Sequence, residues 1–201
     1  MPSPDSLILA SGSKTRAHML RSAGVPIEVA VPNIDEPELM ASLNTAGASA
    51  DRVAEVLAEM KAQRVAPRFP GRFVLGCDQM LECEGRWLDK PEDRDHARAQ
   101  LAMLRGRTHT LITCAVLVRD DERIWHHIDR AELTMRDFGD AFLDQYLDHA
   151  GEDILRSVGA YQLEGLGAQL FARVSGDFFT ILGLPLLPVL AILREHGIVP
   201  R

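Results

Sequence analysis

The chain has 201 residues, 46% of them hydrophobic and 25% charged, with a formal net charge of -7, which is enough apolar material to bury a full core in one domain. That acidic balance argues against broad attraction to nucleic acid or to anionic lipid, because both require a surplus of Lys and Arg. No apolar run approaches the roughly 20 residues of a membrane span, and Met1 to Ser6 has neither the basic patch nor the apolar stretch of a signal peptide, so a cytoplasmic protein is expected.

In chain order, Leu7 to Ala10 is a short apolar strand that stops at Ser-Gly-Ser, and Lys14 to Ala23 follows as a helix with Ala17, Leu20 and Ala23 on one face. Ile27 to Val31 alternates as a strand, and Asn33 to Pro37 is an acidic, turn-prone loop. A second helix is predicted from about Ala50 to Val65 with Val53, Val56, Leu57 and Met60 inward. Phe73 to Cys77 is the most buried-looking strand, expected to end at Asp78, and Met80 to Leu88 forms a hairpin about Glu84-Gly85. A helix from about Asp93 to Leu104, two longer strands flanking a turn at Asp120-Asp121, and a helix over Phe138 to His149 come next. Gly183-Leu184-Pro185 opens the last helix, with Pro185 in its first turn. No repeat, linker or low-complexity tract interrupts this order, so residues 1–201 are expected to form a single α/β domain.

Four segments carry residues suited to chemistry. Ser11-Gly12-Ser13-Lys14-Thr15-Arg16 lies where a strand hands over to a helix. Free amides and the helix dipole favour an anion at such a place, and two hydroxyls with Lys14 and Arg16 add donors and charge. The plainer reading is a serine cap with exposed basic residues. It is not a Walker A loop, since Leu7 stands where the first glycine would be and Ser13 separates Gly12 from Lys14. Asp78, in Gly76-Cys77-Asp78-Gln79, is an acid at the carboxyl end of an apolar strand, where open α/β sheets place ligands. It could accept a proton from water or, with Asp35 or Glu36, hold a hard cation such as Mg2+; the plainer reading is a turn or cap aspartate. Lys90, in Leu88-Asp89-Lys90-Pro91, is a candidate phosphate contact, and Glu164 lies in the glycine-rich Gly159 to Gly167, a connector that could also reach a ligand edge.

Other reactive residue types read as structural. Cys77, Cys83 and Cys114 form no C-x-x-C pair or zinc cluster and suit reduced thiols packed in strands. His126 and His127 are adjacent in a strand and point to opposite faces, and the remaining histidines lack ligand spacing.

Taken together, L-I-L-A-S-G-S-K-T-R at the start, I-D-E at Ile34 to Glu36, G-C-D-Q at Gly76 to Gln79, D-K-P at Asp89 to Pro91, G-R-T-H at Gly106 to His109, G-A-Y-Q-L-E-G-L-G at Gly159 to Gly167 and G-L-P-L at Gly183 to Leu186 resemble the Maf family, in the same order and over nearly the whole chain. The resemblance implies the fold of the inosine triphosphate pyrophosphatases: an elongated mixed β-sheet with flanking helices and two lobes around a cleft that takes the nucleotide. It also implies divalent-metal-dependent hydrolysis, with Mg2+ or Mn2+, of a nucleoside triphosphate to its monophosphate and pyrophosphate, and it leaves room for a homodimer. Carried over residue by residue, Asp78 matches the family's proton acceptor, and Ser11, Ser13, Arg16, Glu36, Lys61 and Lys90 fall on positions associated with phosphate, metal or catalysis. Lys61 is singled out by the resemblance alone.

The resemblance also places Thr15, Gln79 and Glu164 at the positions that separate subgroups by base. Gln79 and Glu164 resemble the subgroup acting on 7-methyl-guanosine triphosphate, whereas Thr15 stands where that subgroup usually has Trp. A carboxylate accepts hydrogen bonds only, which suits the N1-H and N2-H edge of guanine. Family members usually carry Pro and then an aromatic or basic residue where this chain has Lys14 and Thr15, and often Lys where it has Ser157. Maf-like proteins are also linked to arrest of septum formation, so the alternative function is a nucleotide-binding regulator without turnover.

Overall fold

A computed structural model describes residues 6–120 and 122–201. The opening residues 1–5 and Asp121 of the expected turn lie outside the described residues. Seven strands form one mixed sheet in the order β2-β1-β3-β5-β6-β7, with β4 on the free part of the β3 edge. β2 (Ile27–Val29), β1 (Leu7–Ala10) and β3 (Phe73–Cys83) run parallel, while β4 (Arg86–Leu88), β5 (Thr108–Arg119), β6 (Glu122–Met135) and β7 (Phe171–Ser175) add antiparallel. β1 is buried along its whole length, which explains its unbroken apolar run.

Seven α-helices flank this sheet among the described residues: α1 (Lys14–Ser22), α2 (Glu36–Thr45), α3 (Ala50–Val65), α4 (Arg94–Leu104), α5 (Asp140–Ala150), α6 (Phe178–Ile181) and α7 (Leu186–Glu195). Three apolar clusters result. One packs α3 on one face of β3 and β5, a second packs α1 and α7 on the other face, and a third gathers α4, α5 and the far ends of β3, β5 and β6. The first two make one lobe and the third makes the other, with the long β3 shared between them. This is the expected mixed α/β architecture. None of the described helices is long and apolar enough to cross a membrane.

Most expected elements stand where the sequence put them, and the differences have physical causes. β3 runs on to Cys83, so Asp78 is in mid-strand opposite Cys114 and not at a strand end. The loop at Asn33 to Pro37 leads into α2, capped by the Asp35 carboxylate accepting from the Glu38 amide. On α3, Val56 is only half-buried and Met60 exposed; Ala54, Ala58 and Ala62 face inward. Small side chains are needed there because α3 lies directly on β3. A Cβ on Gly76 would stand 2.1 Å from the Ala58 carbonyl oxygen, so only glycine permits the approach. On α1, Met19 and not Ala23 completes the inward face with Ala17 and Leu20. Pro185 is the cap residue before α7 and precedes its first turn. β7 and the short α6 had no periodic signal, being five and four residues long. Cys77, Cys83 and Cys114 are free and buried in strands, as expected.

Candidate active site

The site occupies a gap in strand pairing. β1 ends at Ala10, opposite Gly76, and β4 takes up the same edge of β3 only at Leu81. Residues 77 to 80 of β3 therefore border an opening between the lobes, a cleft of about 750 Å3. Ser11 to Arg16, Glu36, Lys61, Asp78 and Gln79 line it from one side, and Lys90, Arg156, Ser157 and Glu164 from the other. The residues singled out by sequence thus border one cavity, except Asp35, whose carboxylate instead caps α2 by accepting from the Glu38 amide.

Its centre is a buried charge cluster. The Lys61 ammonium donates to Asp78 Oδ1 at 2.6 Å and pairs with Glu36 Oε2 at 2.9 Å. Gly76 is what places them: it lets α3 rest on β3, so Lys61, one turn beyond Ala58, stands over Asp78, two residues along the same strand face. Asp78 and Lys61 are buried to 6% exposure each, whereas the Glu36 side chain, at the start of α2, retains 37%. Burial pushes the Asp78 carboxyl above the usual carboxylate range, opposed by the charges of Lys61 and Arg16. The neighbouring Cys77 thiol is pushed up to about 11 by its own burial, which keeps it in the thiol form at neutral pH.

The loop after β1 provides the second part. Ser13 caps α1 by accepting from the Arg16 amide at 3.3 Å, and Ser11 Oγ accepts from the Ser13 amide at 3.2 Å. The amides of Lys14 and Thr15 are free of hydrogen bonds to the described residues, at the positive end of the α1 dipole. The serine cap is therefore present, and the helix start it caps faces the cleft. Arg16 is more constrained than a free cation. Its Nε donates to the Gly183 carbonyl at 2.6 Å and its Nη1 to the Cys77 carbonyl at 2.9 Å, closing one of the open backbone groups of β3. Lys14 and Lys90 are exposed at the cleft rim.

Gln79 points to the opposite sheet face from Asp78. Its amide NH2 donates to Thr113 Oγ1 and to the carbonyls of Thr180 and Ile181. Two carbonyl acceptors require NH2 at this position, so Oε1 is the atom left to accept from a ligand. Beyond it, the third cluster buries His109, whose Nε2 lies 2.7 Å from the Tyr161 hydroxyl. Tyr161 precedes Gln162 to Glu164 on the far wall, and burial lowers His109 to a pKa of about 4, so it is neutral at pH 7. Arg156, which no sequence signal marks as a cleft residue, borders the cavity beside Ser157.

Among the described residues no group of three or more His, Cys, Asp and Glu side chains gathers as a complete metal cage. Asp78 and Glu36 nonetheless present hard oxygen donors to a single cation, Lys61, and two carboxylates with the remaining positions left to phosphate and water is how Mg2+ is commonly held. The donor set therefore fits.

Comparison with known proteins gives a consistent picture. Residues 6–196 match the family described as Maf-like protein. A nucleoside triphosphate pyrophosphatase of Paramagnetospirillum magneticum is 56% identical over 190 residues, covering 94% of this chain and 98% of the relative. A protein of the same name from Rhodospirillum rubrum is 50% identical, covering 96% and 95%. A 7-methyl-GTP pyrophosphatase of Mesorhizobium japonicum is 49% identical, covering 96% and 97%. A solved dITP/XTP pyrophosphatase of Mycobacterium abscessus is a distant likeness, at 15% identity and a TM-score of 0.42 over 97% of this chain and 98% of that one.

Proposed function

The chain belongs to the Maf family, and on that premise we propose that it is a nucleoside triphosphate pyrophosphatase, releasing pyrophosphate and a nucleoside monophosphate. The observation that carries this reading is the buried Asp78 carboxylate set against Lys61 at the floor of a cleft that also holds a free helix start. The Lys14 and Thr15 amides, with Lys14 and Lys90, take the phosphate oxygens, and Arg16 holds the loop in place through Gly183 and Cys77. Asp78 accepts the proton of the water that attacks the alpha phosphorus. A carboxyl raised by burial is a stronger base than a solvated one, and Lys61 fixes its orientation. Asp78 and Glu36 would hold Mg2+ or Mn2+, which supplies charge neutralisation on the phosphates.

The finer reading is a guanine-type base. Gln79 Oε1 and the Glu164 carboxylate are both acceptors bordering the cleft, and guanine presents paired N-H donors. Relatives include both plain nucleoside triphosphate and 7-methyl-GTP pyrophosphatases. The test is pyrophosphate release from GTP, 7-methyl-GTP, UTP and dTTP, with and without Mg2+ or Mn2+, by the native protein and by Glu164→Gln. Metal-dependent release with guanine nucleotides preferred is expected, and the preference should shrink in Glu164→Gln. Binding without release from any nucleotide would replace the enzyme by a regulator, and a native preference for dTTP or UTP would remove the guanine assignment.

A further inference from the structure

The far wall of the cleft turns on a strained piece of backbone. Gly159 and Ala160 take left-handed conformations in succession, with φ +75° and +59°, and Ala160 is one of three non-glycine residues to do so among those described. An alanine keeps that conformation only where its surroundings hold it. Two side chains from other elements do so here. The Tyr146 hydroxyl, from α5, donates to the Ala160 carbonyl at 3.2 Å, and His109 Nε2, from β5, is hydrogen-bonded to the Tyr161 hydroxyl at 2.7 Å. The turn is also wedged against β3, since a Cβ on Gly159 would stand 2.6 Å from Leu81 Cδ1 and 2.8 Å from the Tyr161 ring. It carries the cleft wall with it: Arg156 and Ser157 precede the turn, Gln162 to Glu164 follow it, and the Ala160 amide donates to the Ser157 carbonyl.

Stability does not account for the pair of His109 and Tyr161. His109 is 1% exposed and Tyr161 5%, and both rings pack on Phe171, with centroids 6.0 and 4.9 Å away. Three apolar rings would fill the same space. A neutral imidazole and a phenol bring two hydrogens, their mutual bond uses one, and His109 Nδ1 has no partner among the described residues. An unpaired buried polar atom costs stability, whereas replacing both partners of a buried hydrogen bond by apolar groups of the same shape costs little. What the pair adds is direction: it fixes the Tyr161 ring, and through it the strained turn, against β5.

We propose that the hydrogen bond between His109 and Tyr161 is the strut of the far wall, and that these two are positioning residues for substrate binding. They hold the turn at Gly159 and Ala160 so that Arg156 and Gln162 to Glu164 meet the nucleotide from a preset wall and need not be ordered when it binds. Neither residue forms a hydrogen bond or ion pair with Asp78, Lys61 or Glu36, so the strut acts on binding and leaves the chemical step to the charge cluster. The proposal rests on the reading of the chain as a nucleotide hydrolase and adds two residues to that site.

The test compares the native protein with Tyr161→Phe, with the double variant His109→Phe, Tyr161→Phe, and with His109→Gln. Pyrophosphate release from GTP gives kcat and KM, thermal unfolding gives the midpoint, and hydrogen exchange of the nucleotide-free protein reads the order of residues 156–164. Tyr161→Phe should raise KM about fivefold, the scale on which one buried hydrogen bond shifts an equilibrium, with kcat within about twofold and faster exchange at 156–164. The double variant leaves no polar atom unpaired, so its midpoint should return towards the native value while KM stays raised. His109→Gln keeps an amide that can donate or accept at the strut, so its KM should stay within about twofold of native. A native KM in Tyr161→Phe overturns the proposal. So does a KM that recovers together with the midpoint in the double variant, which would make the pair structural only, or a loss confined to kcat. Failure of the hydrolase reading is separate: it would appear as absence of pyrophosphate release by the native protein, and the exchange comparison would still test the strut.

Discussion

Replacing Asp78 by Asn keeps the side chain's shape and removes its charge, and the surroundings allow the catalytic and structural consequences to be separated. Lys61 would lose the carboxylate charge at 2.6 Å, keeping an amide oxygen as acceptor there and Glu36 at 2.9 Å, and the cost of burying the Asp78 carboxylate would disappear. The loss of stability should therefore stay below about 3 kcal/mol, the low end of what breaking a buried pair costs when nothing compensates. Turnover should fall far more, on the order of 100-fold or beyond, since a proton acceptor is worth that much and its amide accepts poorly. Pyrophosphate release at saturating Mg2+ or Mn2+, alongside a urea unfolding curve of the same preparation, measures both. A variant that stays folded and keeps more than about a third of native turnover would show that Asp78 is neither base nor essential charge. The pH profile offers a second check. Burial raises the Asp78 carboxyl, and a base must be ionised, so native activity should climb with pH through that raised value, and the acid limb should be lost from the residual activity of Asp78→Asn.

Lys61→Met removes the cation standing between Asp78 and Glu36, so Mn2+ followed by electron paramagnetic resonance should bind the nucleotide-free protein at least about tenfold more tightly, from relief of like-charge repulsion at contact distance, while turnover falls. An unchanged Mn2+ affinity would remove these carboxylates from the metal reading. Lys90→Ala should raise KM in a salt-sensitive way with little change in stability, because Lys90 is exposed; Arg16→Ala should lower both activity and unfolding midpoint, because it strands the Gly183 and Cys77 carbonyls. Equal behaviour of the two variants would contradict this division. His109 is depressed to about 4 in the fold from 6.5 when unfolded, so it costs nothing at pH 7 and destabilises progressively as pH falls from about 6.5 towards 4, by about 3 kcal/mol in all. His109→Gln should flatten that part of the midpoint-against-pH curve relative to the native protein, and parallel curves would refute it.

The site was legible in sequence where local chemistry announces itself. Ser11 to Arg16 at a strand-to-helix junction, an acid in a buried strand at Asp78, and glycines around Glu164 each have a local physical reason to be noticed. Lys61 had none: in isolation it is one lysine on a helix rich in charged residues, and only its fall onto Asp78 across the α3 and β3 contact makes it part of the site. The pair of His109 and Tyr161 was hidden for a similar reason, since 52 residues separate its members and only the fold brings them together. Gly76 was visible, but as part of a motif; its steric role needs the Ala58 carbonyl 2.1 Å from where a Cβ would be.

The same contact explains why the cluster can exist at all. A carboxylate and an ammonium buried together lose more hydration than their attraction returns in most settings. Here the loss is tolerated because the gap between the ends of β1 and β4 already leaves β3 edge groups without strand partners, and a polar cleft is the form in which such an edge can remain open. Arg16 closes the Cys77 carbonyl within that gap, and Asp78, the next residue, faces Lys61. The break in pairing and the buried charge are thus one feature of the backbone: the stretch of β3 left open between β1 and β4 is where Arg16 and Lys61 reach it.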